Sequence, residues 1–387
     1  MSEFYQKIFE VSQTGFGACN REPESWLDRF RLSSRSMTTS PAIIPVFLPH
    51  LGCKERCLFC NQKATAKEVP SPTSVRQFIE TCLEGLSLDE GKREKQVAFY
   101  GGSFTAIGRD EQIRYLREVK PFLSNGSVDS IRISTRPDAL DEGPLSLLRE
   151  YGVKTVEVGA QSMIDQVLDL SERGHRARET VSASRRLRRW GFETGIHLMI
   201  GLPGDTPAGF LRSLDEVIGL RPDFLRIHPA LVLRGAPLEN LWRNGAYSPL
   251  SLSETIEWLK RGLLKLERTS IPVARIGLQP TRELEEHCIA GPYHPALRQL
   301  VDSEIFFDMA VQMLNNFRDP LHAAFFCHPK DISNARGHGN ENTLKLKNTF
   351  QEAEISFSPR DDVQRGSLIV RKGTVELSIQ RQELLYD

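Results

Sequence analysis

Six short apolar runs, each handed on to a stretch of helical periodicity, constrain this chain more than any other feature of its sequence. The runs are Ile43–Leu48, Val97–Tyr100, Ile131–Ser134, Thr155–Val158, Gly195–Ile200 and Phe224–His228, with a weaker seventh at Val273–Gly277. Between them, Ser74–Leu86 sets Val75, Phe78, Ile79 and Cys82 at three-to-four spacing, and Glu111–Val119, Leu145–Tyr151, Glu179–Trp190 and Phe210–Leu220 look similar. Buried strands separated by helices of this length read as parallel βαβ units, because a parallel pair needs a crossover and the crossing helix covers the sheet. Such a run of units fits a closed or partial (β/α) barrel, whose chemistry gathers on the loops after the strand C-termini. An open doubly wound sheet is the competing layout.

The same pattern divides the chain. Residues 1–40 are polar and irregular, with one amphipathic stretch at Trp26–Phe30, and read as an N-terminal arm. Residues 41–280 carry the repeat. After Pro280 it loosens. A helix at Ser303–Phe317, another at Leu344–Phe350 and short strands at Glu354–Phe357, Ser367–Val370 and Thr374–Ile379 predict a small α+β appendage over 281–387. Hydrophobic content of 40% and charged content of 26% leave room for an ordinary core. Fifty basic against fifty acidic residues argue neither for nor against a nucleic-acid partner, and the basic run Arg185–Arg189 reads as a solvated helix face. No segment approaches the roughly 20 apolar residues that span a bilayer. The N-terminal residues lack a signal-peptide apolar region, so a cytoplasmic protein without a membrane partner is expected.

Three of the seven cysteines, Cys53, Cys57 and Cys60, crowd into the loop directly after the first strand. In a cytosolic chain such crowding favours a metal over disulfides. Three thiolates can bind three irons of a cubane and leave the fourth open, whereas most electron-transfer clusters are closed by four cysteines. A structural zinc site with His50 as fourth ligand is the rival reading. Cys288 and Cys327 lie far from the motif and receive no role. At the second strand end, Gly101-Gly102-Ser103 lets backbone approach a ligand with no Cβ in the way. Later strand ends supply Ser134–Asp138, Glu157–Ser162 and His197–Thr206, with Arg173-Gly174-His175 between them. Gln161 offers donor and acceptor groups, and Arg173 a fork suited to a carboxylate.

Cys-x3-Cys-x2-Cys in a strand-end loop, followed by that series in that order, resembles the radical S-adenosylmethionine (SAM) superfamily. The resemblance implies a [4Fe–4S] cluster on Cys53, Cys57 and Cys60, with the amino and carboxylate groups of SAM on the open iron. It implies Gly101, Gly102 and Ser103 at the methionine end of SAM, and Gln161 and Arg173 at ribose or carboxylate. The strand end from Met199 to Gly201 would meet the adenine. Reductive cleavage to a 5′-deoxyadenosyl radical, fed by a ferredoxin- or flavodoxin-like reductant protein, is the implied activity.

Within the superfamily, Thr135–Asp138, Glu157–Ser162, Arg173–His175 and the block Arg221–Gly235, continuing to Leu241–Gly245, are similar to the catalytic subunit of Elongator and its short bacterial relatives. That similarity implies tRNA as substrate and modification of its wobble uridine with an acetyl group from acetyl-CoA. The charged spacer Lys54-Glu55-Arg56 departs from it, and no phosphopantetheine-binding loop is recognisable after Pro280, which leaves the use of acetyl-CoA open. The spacing of Gln161 and Arg173 also resembles oxygen-independent coproporphyrinogen oxidases, so a small-molecule substrate stays open, as does a zinc-stabilised RNA-binding protein. Gln279 and His294 read as caps of the last strand and the helix after it. The glycines around His338 read as an ordinary loop before a helix, since their G-x-G spacing is not that of a KH module.

Overall fold

The computed structural model describes residues 41–53, 57–62, 68–86, 93–317, 322–350 and 354–384. The expected N-terminal arm and the Lys54-Glu55-Arg56 spacer lie outside the described residues.

The apolar runs form a parallel sheet whose strand order follows the chain. It starts with β1 (Ala42–Leu48), β2 (Lys95–Gly101), β3 (Ser130–Thr135), β4 (Val153–Gln161), β5 (Glu193–Ile200) and β6 (Phe224–Pro229). The short β7 (Val232–Leu233) stands apart, and β8 (Val273–Ile276) completes the row beside β6. The order never reverses, so no topological switch point exists and the doubly wound alternative is excluded. Strands β1 and β8 do not pair, which leaves a partial (β/α) barrel.

The connecting helices are α1 (Pro72–Leu86), α2 (Arg109–Ser124), α3 (Glu142–Glu150), α4 (Asp165–Leu170), α5 (Ala177–Arg189) and α6 (Pro207–Leu220). Beyond β6 come α7 (Pro237–Arg243) and α8 (Leu252–Glu267). Their ends follow local chemistry. Thr206 caps α6 by accepting from the Gly209 amide, with Pro207 in the first turn, and Ser251 and Glu254 cap α8 reciprocally.

Two-residue periodicity sorts the strand side chains. On β1, Ile44, Val46 and Leu48 are buried in the core under the helices, as are Ile196, Leu198 and Ile200 on β5 and Leu225 and Ile227 on β6. Each such burial contributes about 1.5–3 kcal/mol. The alternate residues, including Phe47, His197, Met199, Arg226 and His228, are only half-buried and face the concave side. The curl itself is recorded by a bond between strands that are not neighbours: an Arg226 Nη2–H on β6 donates to the Tyr100 hydroxyl on β2 at 3.1 Å.

The C-terminal part holds α9 (Arg282–His287), β9 (Cys288–Ala290), α10 (Leu297–Leu314), β10 (His322–Cys327), α11 (Ile332–Arg336) and α12 (Glu341–Thr349). Strands β11 (Glu354–Pro359), β12 (Ser367–Lys372) and β13 (Val375–Gln380) follow, in a mixed sheet of order β11-β10-β12-β13. This is the expected α+β appendage, with β10 added to the strands read from sequence. Its Phe325, Phe357 and Val370 share one apolar core with Ile305 and Met309 of α10 and with Leu263 of α8. The Asn342 side-chain amide, just after the Gly337–Gly339 loop, donates to the carbonyls of Ser303, Asn334 and Ala335 and so pins α12 to α10 and α11.

Candidate active site at the strand ends

The cysteine loop leaves β1 through a tight turn in which His50 (φ 56°) and Gly52 (φ 76°) are left-handed. The amide of Cys53 donates to His50 O at 3.1 Å, and that of Cys60 to Cys57 O at 3.0 Å. Its ends are clasped together. The Gln62 amide donates to His50 Nε2 at 3.0 Å, the His50 amide to Gln62 Oε1, and the Gln62 side chain to Gly101 O. From below, Gly102 N donates to Leu48 O and Ser103 N to Leu51 O. A Cβ on Gly102 would lie 1.9 Å from Leu51 O, and one on Gly52 2.3 Å from Ser103 O. The glycine pair expected to serve a ligand therefore also lets two strand-end backbones touch. From above, the Leu58 amide donates to Ser171 O, and the Leu238 amide at the start of α7 donates to Leu58 O. Leu58, Val232, Leu238 and Tyr247 make an apolar cluster there, with Phe59 and Trp242 against it. Helix α7, which carries Leu241 and Trp242, is thus a brace on the cysteine loop.

Cys57 is buried, while Cys53 and Cys60 are half-buried. Arg173, in the turn before α5, donates from Nη1 to Cys57 Sγ at 3.2 Å and from Nη2 to Gly159 O at 2.7 Å. Burial pushes the Cys60 thiol up to about 12, and the Cys57 and Cys53 sulfurs add to that. Burial also raises Cys53, against the pull of Arg173 and Arg136. Metal cations that replace the protons would hold the sulfurs together as thiolates. His50 is occupied in the clasp, and among the described residues no three His, Cys, Asp or Glu side chains gather around a single ion. The zinc arrangement with His50 is not formed. Cubane ligands need no such convergence, since each thiolate binds its own iron.

Gln161 ends β4 with φ 68°, a left-handed conformation rare for a residue with a Cβ, at a register shift between β4 and β5. Its Oε1 is buried without a hydrogen-bond partner, as is Arg173 Nε. A buried orphan of this kind costs about 1–3 kcal/mol until something fills it. Gly159 brings the two side chains together: a Cβ there would sit 2.9 Å from Gln161 Nε2 and from Arg173 Nη2. Soft thiolates beside orphaned donor and acceptor groups fit a [4Fe–4S] cluster with a polar, carboxylate-bearing cofactor such as SAM.

The other expected residues are placed as follows. Ser103 is fully buried, its hydroxyl 2.9 Å from Thr135 Oγ1 and accepting from the Arg136 amide, so it joins the ends of β2 and β3. Met199 and Phe59 of the cysteine loop both pack against an apolar cluster of Val167, Leu202 and Ala230. The Gly201 amide donates to Asp205 Oδ2 at 3.0 Å, and its carbonyl accepts from the Tyr247 hydroxyl at 2.7 Å. Burial pushes Asp205 up to about 6 in spite of the Gly201 and Thr206 amides it accepts from.

A second polar group on the concave face was not singled out from sequence as a site. Glu157 on β4 accepts from Arg132 Nη1 at 2.8 Å and from the Tyr100 hydroxyl at 3.1 Å, and its other oxygen lies 3.0 Å from Arg226 Nε. His197 and His228 meet edge to face, ring centres 4.2 Å apart. The signal that marks these residues is polarity at alternate positions inside apolar runs, as in Val156-Glu157-Val158 and Leu225-Arg226-Ile227-His228.

Comparison with known proteins follows the same lines. The family profile for the Radical SAM superfamily matches residues 47–217, and that for the Radical_SAM C-terminal domain matches 222–306. A tRNA uridine(34) acetyltransferase of Dehalococcoides mccartyi is 36% identical over 239 residues, covering 53% of this chain and 52% of that protein. Elongator complex protein 3 of Mus musculus is 29% identical over 184 residues, covering 42% and 33%. Among solved structures, an N-terminally truncated archaeal Elp3 of Methanocaldococcus infernus shares the fold, with a TM-score of 0.53, 21% identity, and coverage of 72% of this chain and 64% of that one. The chain spans about half the length of the first of these curated relatives and a third of the second.

Proposed function

Because the chain belongs to the radical SAM superfamily, we propose that this enzyme reductively cleaves SAM at a [4Fe–4S] cluster on Cys53, Cys57 and Cys60 and acts on the wobble uridine of tRNA. The observation that carries the reading is the braced three-cysteine loop, with Arg173 on the Cys57 sulfur and an unpartnered Gln161 oxygen close by. When bound, the cluster and SAM supply one-electron opening of a sulfonium and a 5′-deoxyadenosyl radical. The chain's own residues do the rest. The three thiolates hold three irons and leave one free, and Arg173 offsets thiolate charge at Cys57. Gly101, Gly102 and Ser103 shape the wall nearest the cysteine loop, and Gln161 and Arg173 receive ribose or carboxylate. Met199 and Gly201 border the adenine side, and the Leu58–Tyr247 cluster keeps water from the back of the loop.

A ferredoxin- or flavodoxin-like protein is the proposed electron donor. The tRNA assignment draws on the names of relatives that this chain matches over part of their length. A cytoplasmic location is proposed with it, and no helix among the described residues is long and apolar enough to cross a membrane. Mass spectrometry of tRNA nucleosides from cells with and without the protein tests the substrate. Loss of one modified wobble uridine is expected, and an unchanged nucleoside profile would remove tRNA from the proposal.

A further inference from the structure

The concave face of the barrel is rich in guanidinium groups beyond the cysteine loop. Arg226 on β6 and Arg275 on β8 are direct partners across adjacent parallel strands, and so present like charges on the same face. Arg226 donates from Nη2 to the Tyr100 hydroxyl, while its Nε, 3.0 Å from a Glu157 oxygen, is buried without a hydrogen-bond partner. Arg275 donates from Nε and Nη2 to the carbonyls of Gly277 and Leu278. Glu157 is the carboxylate beside them, and it is shared with Arg132. The acids at the strand N-termini, Glu94 and Glu193, pair with Lys154 instead. Burial and the neighbouring Arg226 hold the Arg275 guanidinium below its usual range.

Two further groups complete the pattern. His197 and His228 stand edge to face on the same side of β5 and β6, and Nε2 of each is buried without a partner. Burial keeps both rings neutral, so neither adds charge to the arginines. His197 lies two residues before Met199 on β5, and His228 is the last residue but one of β6, so the two rings sit toward the strand ends that carry the cysteine loop. Two fixed guanidinium groups, two orphaned ring nitrogens and three arginines to the one carboxylate of Glu157 are what a compact oxyanion requires.

We propose that Arg226, Arg275, His197 and His228 form a subsite in the barrel for an oxyanion, carboxylate or phosphate, of a substrate that reaches the radical site from the barrel's interior. This deepens the proposed function and rests on it for the place where the radical is made. The binding step can be measured without turnover.

The test is calorimetric titration of the anaerobically reconstituted enzyme with inorganic phosphate and, separately, with acetate, against a chloride background. Saturable binding is expected for at least one, weakened tenfold or more in Arg275→Gln and partly restored in Arg275→Lys. Tighter phosphate binding identifies a phosphorylated substrate, and tighter acetate binding a carboxylate. Arg185→Gln, on the exposed face of α5, should bind as the wild type does. Binding unchanged in Arg275→Gln, or lost equally in Arg185→Gln, would overturn the subsite. Circular dichroism and iron content establish that each variant is folded and loaded. SAM cleavage by an enzyme that binds neither anion sinks the subsite alone, while anion binding without SAM cleavage sinks the radical reading and leaves the subsite standing.

Discussion

Gly102 carries no functional group, yet its substitution should be among the most damaging near the site. A methyl there meets the Leu51 carbonyl at 1.9 Å, so the cysteine loop and the β2 end must separate. Overpacking of this kind costs roughly 1–3 kcal/mol. Gly102→Ala is expected to lower the melting temperature and reduce iron incorporation, both read on reconstituted protein; normal values for both would show that the backbones do not touch. Glu157 poses the opposite case, a buried carboxylate serving two arginines. Its removal leaves Arg132 and Arg226 uncompensated, which for a buried pair costs roughly 3–5 kcal/mol. Glu157→Gln should therefore unfold at clearly lower denaturant concentration than wild type, and a shift below about 1 kcal/mol would show that solvent screens the cluster. The cysteines and the glycine pair stand out in sequence because they follow two consecutive strand ends. The Glu157 group does not, because its members come from four strands and are united only by the curl of the sheet.

Among the elements, α7 has the clearest consequence for the site. Leu238 is fully buried over the cysteine loop, and its amide donates to Leu58 O. Leu238→Ala keeps the amide and opens a cavity, at roughly 2–5 kcal/mol. The expected result is a cluster that bleaches faster in air while far-ultraviolet circular dichroism stays unchanged; bleaching at the wild-type rate would mean that α7 does not brace the loop. The seven barrel strands were legible as apolar runs, because a parallel sheet covered by helices buries its strands, although β4 was read only over Thr155–Val158 of Val153–Gln161. Helix α8 escaped the repeat although Ser251 and Glu254 mark its start, since β7 and α7 intervene and break the βα rhythm after β6. Strand β10 escaped too, being a six-residue run whose partners β11 and β12 lie far along the chain.

Barrel and appendage share a continuous apolar core through α10, so acid unfolding should report on both together. Burial depresses His175 to about 4 and His197 to about 3, and holds His228 well below its ordinary 6.5. Below about 6.5 the unfolded chain takes up protons that these rings refuse in the fold, so their contribution is complete above that pH and is lost as pH falls toward 3–4. Asp205, raised from 3.8 to about 6, works the other way: its contribution is present at low pH and is lost as pH rises through 6. Three histidines outweigh one aspartate, so stability should fall from pH 7 to pH 4, and less steeply in His197→Gln. Equal slopes would place His197 in water. What sequence could not give at this level was the union of barrel and appendage into one core, because nothing local shows that the apolar face of α10 meets both.

The central claim is that three thiolates on one braced loop hold a cluster that opens SAM. Anaerobically reconstituted protein, given SAM and dithionite, should release 5′-deoxyadenosine, measured by liquid chromatography, and Cys57→Ala should release none while keeping its secondary structure. No nucleoside from wild-type protein carrying about four irons, or an undiminished yield from Cys57→Ala, would contradict it.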